Sequence, residues 1–304
     1  MTTKVYHYRN SFIDIQTENT RILMDPWVNP ANLGAWAGCD GARFIHKSQE
    51  INQVEYIYIS HLHSDHYDEK FLKDMQKKQK KKIKFIIKKF RDGRLKEKLN
   101  NAGFKGNIIE VLDYKKFKLN ENEYLVILPQ ISASRTKNKL INYDLDTSCV
   151  FVNNDVALFN QVDNPYNQKN LKDVMKKLKK LNIPKKFDIS FMPYCAASEY
   201  PQAYINLNRT KEKEKVIKRL FNLFFDLTKE IKTKAIVPAG GTYNLSLCYS
   251  RLNKYIAVPS NNDVEKMFLN KKVRTSKIYN NNKNYFIFNK HKIKLEKNFY
   301  KKKI

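Results

Sequence analysis

Six consecutive residues, His61-Leu62-His63-Ser64-Asp65-His66, hold three of the six histidines of the chain. Neutral imidazole is a good ligand for zinc and related divalent metals. Alternation along a short loop can turn two such rings toward one ion while the next pair faces a neighbouring position. His61, His63, Asp65 and His66 are therefore candidate metal ligands, and Asp65 can instead stay unliganded and act as a general base.

The elements that must position this cluster are legible around it. Val54-Glu55-Tyr56-Ile57-Tyr58-Ile59-Ser60 reads as a buried strand leading straight into the first histidine. Asp68 then caps a helix with Phe71, Leu72 and Met75 on one face. Upstream, Val5 to Tyr8, Ser11 to Ile15 and Arg21 to Trp27 read as short strands joined by tight turns, and Asn29 to Gly41 reads as a long loop. Downstream come a strand over 83–90, a helix over 94–102 and a strand over 107–112. Strand signals return at 124–128, 147–152 and 156–161, followed by an amphipathic helix over 170–181 and a strand over 187–192. A long helix over 210–231 carries Val216, Leu220, Leu223, Phe224 and Leu227 as its apolar face, and a strand over 235–238 ends in Ala239-Gly240-Gly241-Thr242. This order predicts an α/β architecture with helices outside two sheets. With no repeat or linker in sight, residues 1–304 read as one domain with a basic extension at about 270–304, in which Tyr285 to Phe288 can pair as an edge strand.

Composition bounds the function. At 304 residues, 42% hydrophobic and 12% aromatic, the chain can bury a real core, which excludes wholesale disorder. No apolar run reaches the roughly 18 residues of a membrane-spanning helix, and the opening residues lack the pattern of a secretory signal, so a cytoplasmic location is expected. Cys39, Cys149, Cys195 and Cys248 lie far apart and suggest neither a disulfide framework nor a zinc ribbon. The net charge is +28, carried mostly by Lys, with Arg at only ten positions. Lys, Asn and Ile are the residues AT-rich codons specify, so part of that charge is compositional drift. A basic surface attracts anions. With so few guanidinium forks and no aromatic interleaving, nucleic acid is an unlikely partner and a small anionic substrate the expected one.

The HxHxDH element after a strand resembles the metallo-β-lactamase superfamily, whose four-layer αββα sandwich carries this motif on the loop after an early strand. Further features of the resemblance are Asp25-Pro26-Trp27, Asn160 to Pro165, Ala196 to Pro201 and Pro238 to Gly241. In look the chain is most similar to the lactamase-like domain of CMP-N-acetylneuraminate hydroxylase, with phospholipase-D-like and ascorbate-phosphate lactonase relatives farther off. The resemblance implies a metal site of His61, His63, Asp65, His66 and Asp163, the last as a bridging ligand; Asp163 also fits a turn before Asn-Pro. It makes Asp25 a candidate partner of a ligand histidine, or simply the end of a strand. Gly240, Gly241 and Tyr243 become substrate-side candidates, with an ordinary turn as the plainer reading.

The departures are specific. The family supplies further histidines near the middle and the end of the chain, whereas after His66 only His291 remains, inside the basic tail. Asp144 and Asp146 stand near the missing middle position and read equally well as oxygen ligands or turn residues. The histidine and cysteine cluster of a Rieske centre is absent as well. The resemblance therefore implies a hydrolase in which a metal-bound water attacks a small anionic ester, lactone or phosphate-linked or nucleotide-linked sugar, with zinc first and manganese or iron as alternatives. Two other classes stay open: an iron-dependent oxygenase component working with a separate redox partner, and a noncatalytic sugar-nucleotide binding module, either of which can be a homo-oligomer.

Overall fold

The computed structural model of the chain describes residues 2–37, 53–79, 81–131, 145–195, 200–270, 277–278 and 284–297. Cys39, His46, Asp144 and the 196–199 stretch lie outside the described residues.

Two sheets form from strands whose apolar residues alternate or run continuously. The first begins with β1 (Thr3–Arg9), β2 (Phe12–Gln16), β3 (Arg21–Met24) and β4 (Tyr56–Tyr58). It continues through helix α1 (Glu69–Lys78), β5 (Lys84–Lys88), helix α2 (Arg94–Leu99) and β6 (Ile108–Val111). From β3 to β6 the strands are parallel neighbours, which requires crossovers, and α1 supplies the one from β4 to β5 and α2 the one from β5 to β6, both on the outer face. The second sheet holds β7 (Lys116–Lys118), β8 (Tyr124–Pro129), β9 (Thr147–Val152), β10 (Ala157–Asn160), β11 (Lys186–Met192), β12 (Lys232–Pro238) and β13 (Lys277–Ile278). Its covering helices are α3 (Gln168–Lys180), α4 (Arg209–Glu230) and α5 (Asn261–Asn270).

The two-residue side-chain period of a strand sorts these residues into layers. Ile22 and Met24 face the core between the sheets while Leu23 faces outward to Phe71, Leu72 and Met75 of α1; Tyr56 and Tyr58 face inward while Ile57 faces outward. In β9, Cys149 and Phe151 point inward and Val150 and Val152 point to the helices. The result is the expected four-layer αββα order. The outer core under α4 rests on Phe221, Phe224 and Phe225, all 2% exposed or less, and truncating one of them would remove about 3–5 kcal/mol. Val216, Leu220 and Leu223 of the expected apolar face are not among the buried residues of this helix, and Leu223 is 41% exposed.

The basic tail contributes more than an edge. β14 (Asn284–Asn289) pairs with β1, and β15 (Lys292–Lys297) forms the outermost strand of the first sheet. Phe286 and Phe288 are fully buried, which fixes the register of β14. The connecting residues Lys290 and His291 both have positive φ, 45° and 63°, as a two-residue hairpin requires. No described helix is long and apolar enough to cross a membrane.

Candidate metal centre

The HxHxDH loop lies directly after β4, at the end of the molecule where β3, β10 and β12 also finish. Its start is tied across the two sheets: the Thr147 hydroxyl donates to the Ser60 carbonyl at 2.8 Å and meets the Tyr58 hydroxyl at 2.6 Å. Its end is fixed by Asp68, which caps α1 through the Phe71 N–H and also accepts from the backbone N–H groups of Val28 and Asn29. Chain elements distant in sequence are thereby locked together by one carboxylate.

Asp25, wholly buried at the end of β3 with φ of 44°, organises the histidines. Its Oδ1 accepts the Ser60 N–H at 2.7 Å, and its Oδ2 accepts the Ser60 hydroxyl at 2.6 Å and His66 Nδ1–H at 2.9 Å. Because Ser60 spends its single proton on Asp25, its oxygen can only accept from His61, whose Nδ1 stands 2.9 Å away. One carboxylate thus sets the tautomer of two imidazoles and leaves Nε2 of both His61 and His66 facing the site.

Two overlapping groups of donor atoms result. His61, His63 and Asp146 form one, and His61, His66 and Asp163 form the other, with the ligand atoms of each group within 4.8 Å of one another. Asp163 Oδ2 lies 3.3 Å from His66 Nε2. The loop after β10 that presents Asp163 turns through Val162 at φ of 55°, and Gly240 backs it. A Cβ on Gly240 would sit 3.3 Å from Asp163 Oδ1, and φ of 85° at this glycine adds to the constraint. Asp65 belongs to neither three-residue group. Its Oδ2 stands 3.5 Å from His66 Nε2 and accepts from Asn10 Nδ2 at 2.9 Å.

The electrostatics follow from burial and crowding. Burial, and then the charges of His66 and His63, hold His61 well below the usual imidazole range, so it is a neutral donor. Burial opposes protonation of His66, but the carboxylates of Asp65, Asp163 and Asp25 outweigh it and raise its pKa well above the ordinary value. Burial pushes Asp65 up, and the charge of His66 beside it overcomes that and brings it below the usual carboxylate range. Asp146 is pushed up to about 7, mainly by burial and then by the charge of Asp163.

The residues present fit a divalent cation. His66 Nε2 and Asp146 Oδ1 are both buried without a hydrogen-bond partner, one a ring nitrogen aimed at carboxylates and the other a carboxylate oxygen facing imidazole. Imidazole and carboxylate together suit zinc, manganese or iron.

Of the residues read from the sequence, His61, His63, Asp65, His66, Asp163, Asp25 and Gly240 converge here. Gly241 has positive φ of 67° in the same turn. Tyr243 belongs elsewhere: its hydroxyl donates to the Tyr200 carbonyl and its ring packs on Trp36. His291 is remote, bound to Asp188 at 2.7 Å. Asp146, read from the sequence as an oxygen ligand or a turn residue, stands in one donor group with His61 and His63. Asn10 carries no signal in the sequence, since its partner Asp65 is 55 residues away.

Beside the two carboxylates opens a cavity of about 320 Å³. His63, Asp146 and Asp163 mark its polar edge, and no Lys or Arg is among the described residues that line it.

Comparison with solved structures places this architecture. YhfI from Bacillus subtilis, a metallo-β-lactamase fold protein, superposes with a TM-score of 0.54 at 10% identity over 95% of this chain and 98% of that one. The chain has the metallo-β-lactamase fold. Igni18, a metallo hydrolase from the archaeon Ignicoccus hospitalis, matches with a TM-score of 0.55 at 12% identity, covering 95% and 99% of the two chains. CmlA, a diiron β-hydroxylase from Streptomyces venezuelae, reaches 0.59 at 13% identity over 92% of this chain, which spans 53% of CmlA. In sequence, 60 residues, or 18% of the chain, are 40% identical to a Mycobacterium tuberculosis protein named as a Rieske 2Fe-2S iron-sulfur protein. The chain spans about a tenth of that relative, as the match covers 10% of its length. No family model matches.

Proposed function

We propose that the chain is a metal-dependent hydrolase acting on an ester, lactone or phosphate-linked bond. The observation that carries this is the convergence of His61, His63, His66, Asp146 and Asp163 into two overlapping donor groups. His61 has one ring nitrogen left, because Nδ1 is bound to Ser60, so it serves one ion. With His63 and Asp146 it would hold the first. His66 and Asp163 would hold a second, with Asp65 as the neighbouring oxygen donor. A bound divalent ion supplies an acidified water and a Lewis acid for the scissile carbonyl or phosphoryl group.

The chain's own residues do the rest. Asp25 keeps Nε2 of His61 and of His66 turned into the site, and Gly240 leaves room for the Asp163 carboxylate. Asp65, held by Asn10, is placed either to ligate or to carry a proton from the nucleophile. Elemental analysis of the purified protein beside a His61→Ala/His63→Ala variant tests the reading. One or two zinc or manganese ions per chain are expected, with the ion of the His61, His63 and Asp146 position lost in the variant together with turnover of an ester or phosphoester panel. Absence of metal from both proteins would refute it.

A second reading has its own support. CmlA is a diiron β-hydroxylase, the mycobacterial relative is named for a Rieske centre, and imidazole with carboxylate suits iron. On this reading the chain is an iron-dependent oxygenase component served by a separate electron donor. Bound iron together with a requirement for reductant would favour it over hydrolysis.

A further inference from the structure

The cavity beside the donor cluster is chemically at odds with the surface around it. The chain carries 58 Lys and Arg, yet the described cavity walls hold none, and the carboxyl groups on them are those of Asp146 and Asp163. No lysine or arginine among the described walls is placed to pair with an anionic part of a substrate. The opposite wall is apolar. Leu220, Leu223 and Leu227 stand at positions i, i+3 and i+7 of α4, one stripe along a single helix face, with Tyr166 and Tyr194 completing the wall.

Leu227 also packs into the core under α4, but Leu220 and Leu223 are not among the buried residues of the helix. That core is filled by Phe221, Phe224, Phe225 and Leu227. Leu223 is 41% exposed, although it faces the same cavity as the buried Leu227. A helix so rich in Lys spends two leucines where solvent would accept any polar residue. An apolar wall meeting a few convergent polar groups is the usual character of a small-molecule site.

We propose that this cavity is the subsite for an uncharged apolar group of the substrate, an aryl or short acyl group attached to the bond that is broken at the donor cluster. This rests on the hydrolase reading only for where the broken bond lies. An apolar cavity of about 150 Å³ already accepts benzene, so about 320 Å³ holds a phenyl-sized group with its linking atoms. The specificity element is the leucine stripe of α4, not the lysines that dominate the composition.

The test compares two uncharged ligands with one metal-binding head, acetohydroxamic and benzohydroxamic acid, titrated calorimetrically into the full-length metal-loaded chain. The phenyl compound is expected to bind at least about 10-fold tighter, the discrimination that even a small apolar difference yields in such a pocket. In Leu223→Arg that advantage should vanish while acetohydroxamic acid binds as before. Leu223→Ala, milder and at an exposed position, should reduce it in part. Equal affinities in the native chain, or an advantage that survives Leu223→Arg, would overturn the proposal. If neither hydroxamate binds, the metal reading fails on its own. The cavity is then judged by 19F NMR of 4-fluorobenzyl alcohol with the metal-free chain: broadening lost in Leu223→Arg supports the subsite, and no broadening refutes it.

Discussion

Asp25→Asn is the substitution that most directly tests how the site is built. The native carboxylate accepts three hydrogen bonds, from Ser60 N–H, Ser60 Oγ–H and His66 Nδ1–H, and donates none. An asparagine amide must place its NH2 group at one of the two oxygen positions. At the Oδ1 position it confronts the Ser60 N–H and leaves a buried donor unpaired, which costs about 1–3 kcal/mol. At the Oδ2 position it confronts two donors. Ser60 must then rotate its proton toward His61, and His66 must give up its Nδ1 proton, so that both rings carry hydrogen on Nε2 where the donor groups need lone pairs. Loss of such an orienting partner lowers metal affinity about 10-fold to 100-fold. The assay is competition of the protein against a chromophoric zinc chelator, with helix content checked by circular dichroism. Asp188→Asn provides the control, because Asp188 is equally buried and bound to Lys234 and His291 but distant from the cluster. It should lower stability without changing affinity. Zinc affinity within twofold of the native value in folded Asp25→Asn protein would refute the argument that this carboxylate sets the tautomers.

Gly240→Ala should weaken zinc binding several-fold and lower stability by about 1–2 kcal/mol, since the new methyl meets Asp163 Oδ1 at 3.3 Å on a backbone with φ of 85°; unchanged binding in the same competition assay would show that Asp163 is not held by this fit. Asp146→Ala should remove one ion per chain in elemental analysis while the His66 and Asp163 position stays loaded, and full retention of metal would exclude Asp146 as a ligand. His7, whose ring donates to the Asn10 carbonyl, is held at about 4 by burial against an ordinary value of 6.5. The unfolded chain therefore takes up a proton that the folded one refuses, and stability falls as pH drops from about 6.5 to about 4, by at most about 3 kcal/mol, with no further change from this group below that. Urea midpoints of the native chain and His7→Gln at pH 7 and pH 4.5 should diverge by this slope, and parallel shifts would discount it.

Much of the layered fold was legible because short continuous apolar runs such as 22–24 and 149–152 mark strands buried on both faces, although only the register of the sheets decides which residue faces which layer. The long helices were legible for the same kind of reason, as Asp68, Asn167 and Asn208 cap runs with clear apolar spacing. The face of α4 was read only in part, with Phe224 and Leu227 buried but Val216, Leu220 and Leu223 not, because Leu and Phe are equally apolar on paper. Which of them lies under the helix and which beside the cavity depends on how the helix is rotated against its sheet. The edge role expected for 285–288 also failed: that segment is interior to the sheet because a further Lys-rich strand, β15, covers it. Alternation of Ile and Leu with Lys in 292–297 was its only signal.

For the site itself, the sequence determined the ligand types, since three imidazoles and a carboxylate within one short loop carry their chemistry wherever they are folded. It also put Asp25 and Asp163 at strand ends, where turn residues and a break in the apolar run are visible locally. Only tertiary structure decided that Asp146 stands beside His61 and His63, that Asn10 reaches Asp65, and that one buried carboxylate orients two rings through Ser60. These are contacts between strands of different sheets or hairpins, dozens of residues apart, and local propensity holds no information about them. The same holds for the leucine-lined cavity. Its walls come from α4 and from the loops after β10 and β11, and they become one surface only when the second sheet brings those segments to the same end.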